Sequence, residues 1–106
     1  MLTEIEINKL VEKIVQRIQP EKVIVFGSYA KGTATSKSDL DIFIVKNSHL
    51  PMNKRNEEVR PLVSNLLINV DIHVYTPEEV EEYGQEEYSF VNSVLKTGKV
   101  VNEKKK

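Results

Sequence analysis

With 106 residues the chain holds one hydrophobic core and no second, so 1–106 reads as a single domain. Fifteen basic against sixteen acidic side chains give a net charge of −1, without the cationic excess of a stand-alone nucleic-acid binder. Zero cysteines exclude disulfides, thiolate metal sites and a cysteine nucleophile, and two histidines are too few for a His-rich centre, so any metal is a hard cation held by carboxylates.

The first element is a helix. Thr3-Glu4-Ile5-Glu6 has capping-box form, and Ile7, Leu10, Val11, Ile14, Val15 and Ile18 recur at helical spacing up to Pro20. Lys22–Phe26 is β-branched and apolar on both parities, the pattern of a strand covered on two faces. Gly27 ends it, Ser28–Lys31 fits one helical turn before Gly32, and 33–38 is polar loop. Leu40–Val45 reads as the second strand. Asn53–Leu67 has helical composition, and Pro61 within it predicts a kink or two shorter pieces. Asn69–Tyr75 reads as the third strand. Thr76-Pro77-Glu78-Glu79 starts a helix, with a cap, Pro at the first position and acids in the first turn. Gly84 breaks it before an amphipathic helix through Tyr88, Val91, Val94 and Leu95, which Gly98 ends, and Val100-Val101 fits a short strand. The strongest apolar runs, Val23–Phe26 and Ile42–Val45, are four residues each, against the ~20 that span a bilayer. The first residues also lack signal-peptide character, so a cytoplasmic protein without membrane association is expected. The element order implies an α/β (α+β) fold, a three-stranded mixed sheet flanked by helices.

Two acids open the second strand. Asp39 and Asp41 lie two apart, share a face and repel each other unless a cation sits between them, a role that suits Mg²⁺. Read alone, the pair fits equally well a loop cap followed by an exposed edge-strand acid. Gly27-Ser28 lets the backbone approach a ligand and offers phosphate the free N–H groups of a helix start plus a hydroxyl. By itself it is an ordinary strand-ending turn. The combined pattern Gly-Ser-x10-Asp-x-Asp is rarer, arising by chance in on the order of one chain per thousand of this length. Asp71, flanked by apolar strand residues, reads as a third ligand or a general base in preference to an acid facing water beside His73. All three acids meet only if strands one and two run antiparallel and two and three run parallel after a helical crossover. His73 is expected exposed, and the acids between Glu78 and Glu87 are expected on a solvated helix face.

Gly27-Ser28-Tyr29-Ala30-Lys31-Gly32 followed by Ser38-Asp39-Leu40-Asp41 resembles the nucleotidyltransferase superfamily of DNA polymerase beta. At this length the chain is similar to the minimal nucleotidyltransferases, the antitoxins paired with HEPN-domain toxins. The resemblance runs over essentially the whole chain. It implies the nucleotidyltransferase fold, with ATP as substrate and two Mg²⁺ as cofactor. Gly27, Ser28 and Lys31 match the nucleotide-binding positions, Asp39 and Asp41 the metal-binding pair, and Asp71 the third acid, which binds metal and helps take the acceptor proton. Lys31 stands where many members carry Arg, Tyr29 occupies a position often held by Arg, and Pro61 falls in a helix that is usually uninterrupted.

The implied activity is transfer of AMP to a hydroxyl of a partner protein, a tyrosine of a HEPN toxin, within a homo- or hetero-oligomer. Tyr83 and Tyr88 among the C-terminal acids mark a candidate docking surface. Two readings compete with it: a binding-only antitoxin of the same fold, and a nucleotidyltransferase acting on a small molecule. A metal-dependent glycosyltransferase also uses Asp-x-Asp, but it needs a larger nucleotide-binding domain and leaves Gly27-Ser28 unexplained.

Overall fold

The computed structural model describes residues 1–104. Helix α1 (Glu4–Ile18) begins with both halves of the capping box closed: Glu6 N donates to Thr3 Oγ1 at 3.1 Å and Thr3 N to Glu6 Oε1 at 3.0 Å. It ends where Gln19 turns left-handed ahead of Pro20, which cannot continue a helix. Leu10, Val11, Ile14 and Ile18 form its buried stripe.

Four strands, β1 (Lys22–Phe26), β2 (Leu40–Val45), β3 (Val70–Tyr75) and β4 (Lys99–Glu103), make one sheet in the order β3-β2-β1-β4. β1 runs antiparallel to β2 and to β4, and β2 runs parallel to β3, the mixed topology that sets Asp41 beside Asp71. The expected three strands become four because β4 covers the open side of β1. Its sequence, Lys-Val-Val-Asn-Glu, shows little apolar character of its own, and a bulge interrupts its register opposite Val23 and Ile24. Gly98 makes this pairing possible: a Cβ there would come within 2.5 Å of Ile24 Cγ2 and 2.6 Å of Val94 O.

Side-chain alternation gives the sheet two faces. Val23, Val25, Leu40, Ile42, Ile44 and Val74 pack under α1 and the β2–β3 crossover. Ile24, Phe43 and Val45 pack under α5 (Phe90–Thr97) with Val91 and Val94. Pro61 splits the crossover as expected, into a 3₁₀ helix (Met52–Glu58) and the short α3 (Arg60–Val63).

The C-terminal helices differ from expectation in two places. Glu79 is not on the solvated face: it closes the capping box of α4 (Pro77–Gly84) with Thr76 and pairs with Arg55, which also donates to Leu50 O at 2.9 Å and Val74 O at 3.4 Å. Glu78, Glu81, Glu82, Glu86 and Glu87 are exposed as expected. Tyr88 lies outside α5 and is 93% exposed, because Ser89 caps that helix by accepting from Asn92 N. Among the described residues, no helix is long and apolar enough to cross a membrane.

Candidate active site

Gly27 leaves β1 with φ 73° and ψ −150°, a backbone region essentially reserved for glycine. Helix α2 (Ser28–Lys31) starts at once, and Gly27 O accepts from Ala30 N and Lys31 N, both at 3.1 Å. As the first amides of a helix, Ser28 N–H and Tyr29 N–H have no intrahelical acceptor. The Tyr29 hydroxyl turns away to accept from Leu2 N at 3.0 Å, tying α2 to the N-terminus. Lys31 is exposed at the last turn.

The following loop is a hydrogen-bonded turn, with Thr35 N donating to Ser38 Oγ at 2.8 Å and Ser38 N to Thr35 O at 3.1 Å. It delivers Asp39, exposed, to the mouth of β2. Leu40, fully buried, donates its N–H to Asn69 O at 3.0 Å and starts the β2–β3 register. In that register Asp41 faces Asp71, and across β1 it faces Phe26, the residue before Gly27. Asp41 and Asp71 thus stand side by side on neighbouring strands, with Gly27 just past the end of the third.

The contact between the first two is close enough that a Cβ built on Gly27 would overlap Asp41 Oδ2. Asp71 is oriented by Asn69, whose Nδ2 donates to Asp71 Oδ1 at 3.2 Å. Sequence reasoning missed Asn69, although its position two residues before Asp71, on the same face, was the available signal. Partial burial pushes the Asp41 carboxyl above the usual carboxylate range. The charge of Asp71 and a hydrogen bond with it add to the rise, then the charge of Asp39, and His73 opposes it.

His73 is not the exposed strand histidine expected. Its parity points it toward α5, where its ring lies 5.7 Å from that of Phe26 and 4.9 Å from that of Phe90. These three rings form the inner wall of the acidic site.

Comparison with known proteins places this geometry. A family model described as a nucleotidyltransferase domain matches residues 7–101. The chain belongs to the nucleotidyltransferase family. It is 34% identical over 97 residues to a protein of Methanocaldococcus jannaschii assigned as a protein adenylyltransferase, covering 90% of this chain and 89% of that one. A crystal structure of a toxin-antitoxin with AMP-PNP aligns with a TM-score of 0.65 at 24% identity, over 92% of this chain and 74% of the other. A mutant of the MntA-HpeT toxin-antitoxin aligns at 0.58 with 25% identity, over 99% and 76%. A protein of Sulfolobus solfataricus assigned as a nucleotidyltransferase aligns at 0.56 with 25% identity, over 79% and 81%.

For a nucleotidyltransferase the donor set matters. Among the described residues no three His, Cys, Asp or Glu side chains are already drawn into a metal-sized cluster. Asp41 and Asp71 are the opposed pair, and Asp39 stands exposed on the loop. The chemistry nevertheless suits a hard cation: the donors are carboxylate oxygens, and burial together with the neighbouring acids disfavours a bare carboxylate at Asp41.

Proposed function

We propose that this transferase moves AMP from ATP to a hydroxyl of a partner protein, a tyrosine of a HEPN-type toxin. In this reading it acts as the cytoplasmic antitoxin of a toxin-antitoxin pair, with residues 1–106 as its single domain. The relative assigned as a protein adenylyltransferase and the toxin-antitoxin structural neighbours support the class of acceptor. The observation that carries the reading is the pairing of Asp41 with Asp71 on adjacent strands, with Gly27 packed against Asp41 at the end of β1 and Asp39 at the mouth.

Each residue has a part. Gly27 and the amides and hydroxyl of Ser28 orient the phosphates, and Lys31 screens their charge. Asp39, Asp41 and Asp71 would hold two Mg²⁺, which supply neutralisation of the triphosphate and a lowered pKa for the acceptor hydroxyl. Asp71, aimed by Asn69, takes the hydroxyl proton. The acceptor oxygen then bonds to the α-phosphorus, the bond from that phosphorus to pyrophosphate breaks, and pyrophosphate carries the electron pair away.

The test is incubation with α-labelled ATP, Mg²⁺ and the product of the adjacent gene. Label on the partner, lost with the Asp39→Asn/Asp41→Asn double variant, is the expected result. A partner neutralised without label would establish the binding-only antitoxin, and label on a small molecule the third reading.

A further inference from the structure

The sheet ends at β3, and the backbone of that edge fixes which groups face outward. Leu40 N donates to Asn69 O at 3.0 Å and Lys46 N to Tyr75 O at 2.9 Å. A parallel partner bonds through alternate residues, so 69, 71, 73 and 75 face β2, while Val70, Ile72 and Val74 turn N–H and C=O away from it. Arg55 marks the same phase, because its Nη1 donates to Val74 O at 3.4 Å and so closes the far half of the edge. The near half, Val70 and Ile72, flanks Asp71.

A cleft of about 460 Å³ lies there, lined by Asn56, Arg60, Val63 and all of 69–73. Four consecutive strand residues, Val70–His73, line one cleft only when it runs along the edge, since a face shows alternate residues. Arg60 is exposed and, among the described residues, forms no ion pair.

Building on the reading that the acceptor is a protein hydroxyl, we propose that the acceptor enters as an extended segment. It adds to β3 as a fifth, antiparallel strand, with its hydroxyl residue opposite Asp71 and an acidic residue next to it in sequence. An extended backbone matches the outward groups of Val70 and Ile72, as in strand addition generally. Asp71 spends its own N–H and C=O on β2, so the residue opposite it makes the non-hydrogen-bonded kind of pair. That is the closer kind, with Cα atoms about 4.5 Å apart and side chains on one face. A tyrosyl side chain is longer than the ~4.8 Å strand spacing, so it leans across β3 and brings its oxygen over Asp71 and Asp41. The residues on either side of it point to the opposite face, where Arg60 calls for an acid.

The probe is the peptide acetyl-Thr-Glu-Tyr-Val-Thr amide at millimolar concentration with Mg²⁺ and α-labelled ATP. Amide hydrogen exchange at Val70 and Ile72 and label transfer are followed in the same samples. Slowed exchange at both amides is expected. N-methylation of the peptide's Glu and Val, whose N–H groups would face β3, is expected to weaken binding about tenfold or more. N-methylation of its Tyr, whose N–H faces away, leaves binding unchanged. Arg60→Glu weakens it about two- to fivefold, and a Lys in place of the peptide's Glu restores it. Unslowed exchange, or indifference to the site of methylation, overturns the proposal. So does slowing that follows protein concentration without peptide, since a second copy then holds the edge. Slowed exchange without label counts against a protein hydroxyl as acceptor and leaves the docking edge standing, while label without slowed exchange does the reverse.

Discussion

Asp41 Oδ2 occupies the space that a side chain on Gly27 would fill. The glycine therefore does more than let a ligand approach the backbone: it makes room for a carboxylate of its own chain. Gly27→Ala sets a methyl against that oxygen and strains a backbone at φ 73°, ψ −150°. A loss of about 2 kcal/mol of stability and about 10²-fold in transfer is expected. In an Asp41→Ala background the steric part vanishes and about 1 kcal/mol remains, read from paired denaturant titrations. Equal losses in both backgrounds would show that the two residues do not compete for space.

Removing the charge at Asp41 should separate stability from activity. Its folded-state pKa is raised, so the metal-free native state holds a proton that the unfolded chain releases. The associated stability is full below the ordinary value of 3.8 and is lost as pH rises through the raised one. Asp41→Asn, neutral throughout, is expected to flatten that decline. At neutral pH it should add about 0.5 kcal/mol after solvent screening, roughly 2–4 °C in Tm, while abolishing transfer. A thermal scan of both proteins in EDTA across pH 4 to 8 decides; a lower Tm for the variant at neutral pH counts against the repulsion.

Asp71 and Asn69 should differ in degree. Asp71→Asn is expected to cut transfer at least about 10²-fold with nucleotide affinity much less affected. Asn69→Ala removes one orienting hydrogen bond and should cost about 3- to 10-fold in rate. Single-turnover rates at saturating ATP provide the comparison, and full activity in Asp71→Asn would rule out the proposed role as base.

The Arg55–Glu79 pair governs acid stability. Partial burial raises the Glu79 pKa, but hydrogen bonds from Arg55 and Thr76 and the Arg55 charge outweigh it and hold the carboxyl below its ordinary value of 4.5. That stability is present above 4.5 and is lost as pH falls through the depressed value. Arg55→Ala strips a nearly buried side chain from Leu50 O, Val74 O and Glu79, and should cost about 2 kcal/mol at pH 7. Urea titration at pH 7 and pH 4 is expected to show the difference between variant and wild type shrink at the lower pH.

Local signals were readable where the chemistry is local. Thr3 with Glu6 closes the capping box that their spacing announces, Thr76 caps the helix that its Thr-Pro start announces, and Pro61 divides the crossover. The spacing of Gly27, Asp39 and Asp41 together with Asp71 also led to the right strands and the right relative directions. Long-range consequences were not readable. Val100-Val101 suggested a short strand, but its extension to Lys99–Glu103 and its place in the sheet depend on the free side of β1. His73 looks polar in a list of residues, yet strand parity buries half of it between two phenylalanines that come from β1 and α5. Glu79 resembles its acidic neighbours until the crossover brings Arg55 to it.

The pairing of β4 with β1 also sets an order in time. Ile24 finds its partner at Val100, after nearly all the intervening chain, so this ladder closes the longest loop in the sheet. β4 carries a half-exposed Val100, a partly buried Val101 and a bulge in place of a buried stripe, which makes it the strand expected to dock last and open first. Each such opening uncovers the side of β1 that leads directly into Gly27. The turn at Gly27 and Ser28 is then only as steady as the strand two places away from the acids, and fluctuations at Lys99–Glu103 reach the proposed site through shared backbone without touching a carboxylate.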